Sequence, residues 1–291
     1  MSVVERVVRT SYADIAVAET SGSKLPLVMI HGNSSCKEVF RHQLKSPVGE
    51  TYRLIAVDLP GHGRSSDARD PENTYTMPGY ANAVVELLHA MKIKQAAVFG
   101  WSLGGHVGLE MLPRFPGVVG LMITGAPPVG NTPEAVMAGF RPNPHAALLG
   151  KPELAPEELD ILLAANYGAH VDALLTSAAR RADGRARAIM FGGLFSGRLS
   201  DQRAMAETTP VPIAVVNGAD DPVVNADYVG SLHYKALWDE HSYILRGLGH
   251  APFLQAPDVF NPILGRFMQD MQARAATRFK PGARRASVVA A

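Results

Sequence analysis

Ala96-Ala97-Val98-Phe99-Gly100-Trp101-Ser102-Leu103-Gly104-Gly105 is the stretch whose reading decides the fold. Four apolar residues run directly into a G-x-S-x-G pattern. Leu103, Val107 and Met111 then mark one face of a helix, with Gly104, Gly105 and Gly108 small enough to let it lie close on a sheet. A buried strand, a sharp turn and a helix in that order leave a serine hydroxyl exposed at the turn.

The same design recurs on both sides of this segment. Leu27 to Ile30 precede His-Gly-Asn, Leu54 to Val57 precede DLPGHG, and Leu121 to Ile123 precede TGAPP. Ile213 to Val216 precede NGADDP, and Tyr243 to Leu245 come before GLGH. Continuous apolar runs of this length mark strands buried on both faces, which belong to parallel sheets. Val3 to Val8 and Ile15 to Val17 read as an opening antiparallel pair. Val84, Leu87, Leu88 and Met91 fall on one helical face. The alternation predicts an α/β fold with a mostly parallel central sheet flanked by helices.

From Pro127 to Thr209 the alternation stops. Glu157 to Asn166, Val171 to Arg181 and Gly184 to Phe191, the last with Asp183 as N-cap, read as helices, and no strand is visible. This predicts a helical cap over residues 127–209, inserted between strands of a core formed by 1–126 and 210–274. The basic, Ala-rich residues 275–291 read as a flexible tail.

Composition narrows the function. Lys and Arg number 28 against 27 Asp and Glu, a net charge of +1, so no electrostatic footprint for nucleic acid is present. A hydrophobic fraction of 47% with 19% charged residues speaks for a packed core rather than disorder. Cys36 is the only cysteine, which excludes an internal disulfide and a multi-thiolate metal site. The start, MSVVERVVRT, carries Glu5, Arg6 and Arg9 and does not read as a signal peptide. No run approaches the ~18 apolar residues of a membrane helix. The expectation is a cytoplasmic protein with a small-molecule substrate and neither nucleic acid nor membrane as partner.

A serine hydroxyl needs a base beside it to act as a nucleophile. Among ten histidines, His250 stands out because it lies in GLGHAPF, directly after the last apolar run and far downstream of Ser102. A carboxylate must fix that imidazole, and the loop Asn217-Gly218-Ala219-Asp220-Asp221-Pro222 offers both Asp220 and Asp221. An acyl-transfer site also needs donors for an oxyanion. The backbone N–H of Leu103, directly after the serine, is one, and Asn33 in His31-Gly32-Asn33-Ser34-Ser35 supplies the other through its backbone. His31 and the glycines of DLPGHGRS are read as loop architecture.

Together HGN, DLPGHGRS, GWSLGG, NGADDP and GLGHAPF resemble the α/β-hydrolase superfamily over roughly residues 25–124 and 211–260. The narrower wording HGNSS, VFGWSLGGHVGLEM, GLMITGAPPV, DGRARAIMF and PIAVVNG is similar to the metal-independent N-acyl-homoserine lactonases of that fold, which open the lactone of bacterial quorum-sensing signals. The resemblance implies Ser102, His250 and Asp221 as a triad, with Asn33 and Leu103 at the oxyanion. It also implies Trp101, Gly32 and Tyr167 at the substrate, with no cofactor and no metal. Two departures stand out. Asp221 occupies a position where those lactonases carry the longer glutamate, and the cap offers Tyr167 where they place a polar aromatic. An apolar cap suits an acyl chain, with Met137, Leu162, Leu163, Leu174, Leu175 and Met190 as candidate walls.

Metal-dependent lactonases use an H-x-H-x-D-H run, and H-x-H occurs nowhere in this chain. A carboxylesterase or carbon–carbon bond hydrolase with the same triad is the nearest rival reading. A dehalogenase or epoxide hydrolase would carry aspartate at position 102. A ligand-binding receptor on the same scaffold would have no need to keep all three triad residues.

Overall fold

Eight strands form one sheet in the computed structural model, which describes residues 2–278: β1 (Val3–Arg9), β2 (Asp14–Thr20), β3 (Lys24–Ile30), β4 (Tyr52–Val57), β5 (Ala96–Trp101), β6 (Val118–Thr124), β7 (Ile213–Gly218) and β8 (Tyr243–Leu245). Their order is β1-β2-β4-β3-β5-β6-β7-β8. β1 pairs with β2, and β2 with β4, antiparallel, whereas every later pairing is parallel. The uninterrupted apolar runs are explained by the two cores they serve. Val28 and Ile30 face a cluster containing Val84, Leu87 and Leu88, while Leu27 and Met29 face one containing Phe260, Leu264 and Phe267. Period-two alternation sends successive side chains to opposite faces, and each fully buried one contributes about 1.5–3 kcal/mol.

The helix Met77–Ala90 starts at Thr76, whose hydroxyl accepts the Gly79 amide. The helix Pro257–Arg278 covers the opposite face with Phe260, Leu264, Phe267, Met268 and Met271. That helix corrects the expected start of the tail. Residues 275–278 are its last turn, with Ala275 buried against the sheet, because the apolar spacing continues past residue 274. The rest of the expected tail lies outside the described residues.

Between β6 and β7 the described chain is helical: Pro133–Ala138, Pro156–Tyr167, Ala173–Arg181, Gly184–Phe195 and Gln202–Thr208. Asp172, Asp183 and Asp201 each cap the helix that follows by accepting an amide of its first turn. These helices are tied down on the sheet's loops. Tyr75 donates its hydroxyl to Asp183 at 2.7 Å, and Arg181 donates to the Ser65 carbonyl at 2.9 Å. No helix among the described residues is long and apolar enough to cross a membrane.

Candidate active site

The carboxyl ends of β3, β5 and β7, together with the loop after β8, converge on one cavity. Ser102 sits between β5 and the helix Leu103–Met111 with φ 53° and ψ −121°, a backbone conformation strained for a residue with a side chain. The turn can be this tight only because its neighbours are small. A Cβ on Gly104 would stand 1.9 Å from the Ile30 carbonyl oxygen, and one on Gly100 would stand 2.2 Å from that of Gly104. The Ser102 amide is spent on the Thr124 carbonyl at 2.8 Å, which anchors the turn to β6. The amides of Leu103 and Asn33 have no acceptor among the described residues.

His250 is buried, lines the same cavity as Ser102, and holds Nδ1 2.9 Å from Asp221 Oδ2. The other carboxylate oxygen of Asp221 accepts the amides of Val223 at 2.8 Å and Val224 at 3.2 Å. Burial pushes this carboxyl up, but the attraction and hydrogen bond of His250 and the two amides outweigh it, so it lies below its ordinary value. It is a carboxylate at neutral pH. Asp220, left open by the local sequence, is exposed, and the carboxylate on the ring is that of Asp221. Trp101 Nε1 donates to the His250 carbonyl at 2.8 Å and fixes the histidine loop from below.

The loop after β3 is stitched to the helices above it by three consecutive side chains. Asn33 Nδ2 donates to the Leu149 carbonyl at 3.1 Å, Ser34 Oγ accepts from Arg187 at 3.3 Å, and Ser35 Oγ accepts from Tyr167 at 2.8 Å. Arg187 is buried and spends its other donors on the carbonyls of Lys151 and Pro152. Burial holds its guanidinium below the ordinary value. The segment between β6 and β7 and the loop carrying Asn33 are therefore joined by hydrogen bonds. Among the described residues no group of three His, Cys, Asp or Glu side chains is arranged to hold a metal ion.

The profile of the alpha/beta hydrolase family matches residues 27–263. The chain belongs to that family. Within it, the chain is similar to the N-acyl homoserine lactonase AidH, whose structure with N-butanoyl homoserine superposes with a TM-score of 0.89 at 43% identity, covering 92% of this chain and 97% of that one. A point mutant of AidH complexed with N-hexanoyl homoserine gives a TM-score of 0.90 at 43% identity over 93% and 98% of the two chains. The pimeloyl-[acyl-carrier protein] methyl ester esterase of Yersinia pestis bv. Antiqua (strain Angola) is 28% identical over 254 residues, 84% of this chain and 93% of its own.

Several expected contact residues of this hydrolase lie behind the cavity rather than on it. Trp101 and Tyr167 are fully buried with ring centroids 5.5 Å apart, and the Tyr167 hydroxyl is committed to Ser35. Gly32 brings its backbone against Ser102, where a Cβ would stand 3.0 Å from the Trp101 ring and 3.1 Å from the Ser102 Cβ. These three residues support the wall instead of forming it. Of the expected acyl walls only Met190 lines the cavity. Leu162, Leu163 and Leu175 are buried, the last two in the apolar cluster of Trp101 and Tyr167, while Met137 and Leu174 are exposed. The apolar wall is built instead by Met77, Phe140, Leu149, Phe191 and Leu194, and its polar lining adds His106 and Asn166. His106 stands four residues after Ser102 on one helical face, a spacing that points to it in the sequence.

Proposed function

We propose that this hydrolase opens the lactone ring of N-acyl homoserine lactones, with Ser102, His250 and Asp221 as its triad. The observation that carries the reading is the likeness to AidH along nearly the whole of both chains, joined to an apolar cavity with Ser102 and His250 at its wall. Ser102 Oγ attacks the lactone carbonyl as its proton passes to Nε2 of His250, the nitrogen that Asp221 leaves free. The amides of Leu103 and Asn33 receive the oxyanion. When the intermediate collapses, the ring C–O bond breaks and His250 returns the proton to the departing oxygen. Water then attacks the acyl-serine ester, His250 takes its proton, and Ser102 leaves with that proton restored.

The leaving hydroxyl remains tethered to the acyl group and can re-close the ring at high effective concentration. A productive enzyme must deliver water to His250 before that happens, and this demand falls on the geometry of the ring. Gly125, with φ +64°, lies directly beneath it, and a Cβ there would stand 2.6 Å from His250 Cε1. Gly125→Ala is therefore expected to displace the imidazole and cut kcat by about 10²-fold while KM changes little. An unchanged kcat would show that the ring tolerates the shift.

The direct test is acid release from N-butanoyl and N-hexanoyl homoserine lactones in the presence of a chelator. Turnover that survives chelation is expected. Activity lost with the metal would overturn the serine mechanism. Similarity to a methyl ester esterase favours one second reading, an esterase acting on acyclic acyl esters. Hydrolysis of p-nitrophenyl esters without any lactone opening would select it.

A further inference from the structure

The proposed steps leave two polar side chains of the cavity unused. His106 is only 3% exposed, and that exposure is to the cavity. Its Nδ1 lies 2.7 Å from Gln202 Oε1. The orientation of this carboxamide is set from its other end. Gln202 Nε2 faces two acceptors, Glu110 Oε1 at 3.2 Å and the His106 carbonyl at 3.3 Å, so nitrogen donates there and oxygen is turned to the ring. Glu110 is itself held by Ser200 Oγ at 2.7 Å and Arg114 at 2.8 Å. Nδ1 of His106 must therefore carry the proton. Burial keeps the ring neutral, with its pKa lowered to about 4. Nε2 is left as a bare lone pair with no partner among the described residues.

Asn166 comes to the same cavity from the cap helix Pro156–Tyr167 and is 7% exposed. Its carboxamide makes no hydrogen bond within the described protein. One wall thus offers an acceptor that cannot donate, and a second element offers an amide donor, in a cavity whose other polar side chains are Ser102, His250 and Asn33, the last committed to the Leu149 carbonyl. A secondary amide presents the complement of both, an N–H and a C=O on one rigid plane. An alkyl ester has nothing to give to His106.

We propose that His106 and Asn166 clamp the amide of the acyl substituent, His106 Nε2 accepting its N–H and Asn166 Nδ2 donating to its carbonyl, so that the enzyme selects N-acyl lactones over lactones lacking an amide N–H. Gln202 is then a positioning residue that fixes the tautomer. This rests on the lactonase reading above and adds to it the group that confers substrate choice. A site built to pair a polar group discriminates strongly against an analogue that leaves its own buried group unpaired.

The experiment compares kcat/KM for N-hexanoyl homoserine lactone with that for the isostere in which a methylene replaces the amide N–H. The native enzyme is expected to prefer the amide by about ten- to a hundredfold. His106→Asn keeps a group able to meet Gln202 but removes Nε2, and should bring the ratio within about threefold of unity. Asn166→Leu should slow both substrates by similar factors, because the isostere keeps its carbonyl. A ratio that persists in His106→Asn overturns the clamp. So does a ratio near unity in the native enzyme, which decides the matter even if the variant fails to fold. Failure to open either lactone would instead overturn the lactonase reading, and the clamp with it.

Discussion

Ser102→Ala is expected to lower kcat for lactone opening by about 10⁴- to 10⁶-fold, the loss typical of removing a nucleophile whose base remains in place. Retention of a tenth of the activity would refute the acyl-enzyme route. A second substitution at the same position separates chemistry from stability. Ser102 is held at φ 53° and ψ −121°, which costs of order 1–3 kcal/mol for a residue with a Cβ. Glycine adopts that conformation freely and gives back only about 0.5–1 kcal/mol through the unfolded chain. Ser102→Gly should therefore be as inactive as Ser102→Ala yet more stable by about 1 kcal/mol, whereas alanine keeps the strain. Denaturant midpoints of the two variants check this. Equal midpoints would mean that the turn stores no strain.

How far such a site can be read before folding depends on whether its residues obey a local rule. The tight turn at Ser102 is legible because a strand buried on both faces leaves no polar residue to blur its end, and Gly100 and Gly104 are dictated by contacts under 2.5 Å. The neighbouring aspartates show where local reading stops. Asp220 and Asp221 are alike in sequence, and only burial against His250 separates them, with Asp221 reaching the ring at 2.9 Å despite a side chain shorter than glutamate. The apolar wall of the cavity is least legible. The leucines of the helix Pro156–Tyr167 look like a wall, but Leu159 and Leu163 are buried in the apolar cluster that contains Trp101 and Phe253. Phe140 and Leu149, which do line the cavity, stand outside any α-helix, where no periodicity points to them. His106 has the right spacing from Ser102, but its tautomer depends on Gln202, distant in sequence and brought near only by the fold.

The second large effect is acid unfolding between about pH 6 and pH 4, driven by histidines outside the triad. His31, His62 and His106 are buried, and burial lowers them to about 4, 3 and 4 from an ordinary 6.5. His31 has both nitrogens engaged in its neutral form, Nδ1 on the Gly32 carbonyl at 2.7 Å and Nε2 accepting the Leu59 amide at 3.0 Å. A second proton would break the latter bond. His62 packs on His31 with ring centroids 5.1 Å apart, so charging either ring opposes charging the other. Because all three folded values lie below the unfolded one, the unfolded chain takes up protons that the folded chain refuses. Their stabilisation is complete above about pH 6.5 and is lost as pH falls toward the folded values, at about 1.4 kcal/mol per pH unit for each ring. Three rings acting together remove about 4 kcal/mol per unit, against a total stability of about 5–15 kcal/mol for ordinary domains. A cooperative transition near pH 5 is expected in far-ultraviolet circular dichroism. His62→Asn retains a donor for the Pro60 carbonyl, which His62 Nδ1 reaches at 3.1 Å, while removing the titrating group, and should move the midpoint to lower pH. A midpoint that stays where it was would shift the cause of acid unfolding from these rings to the carboxylates.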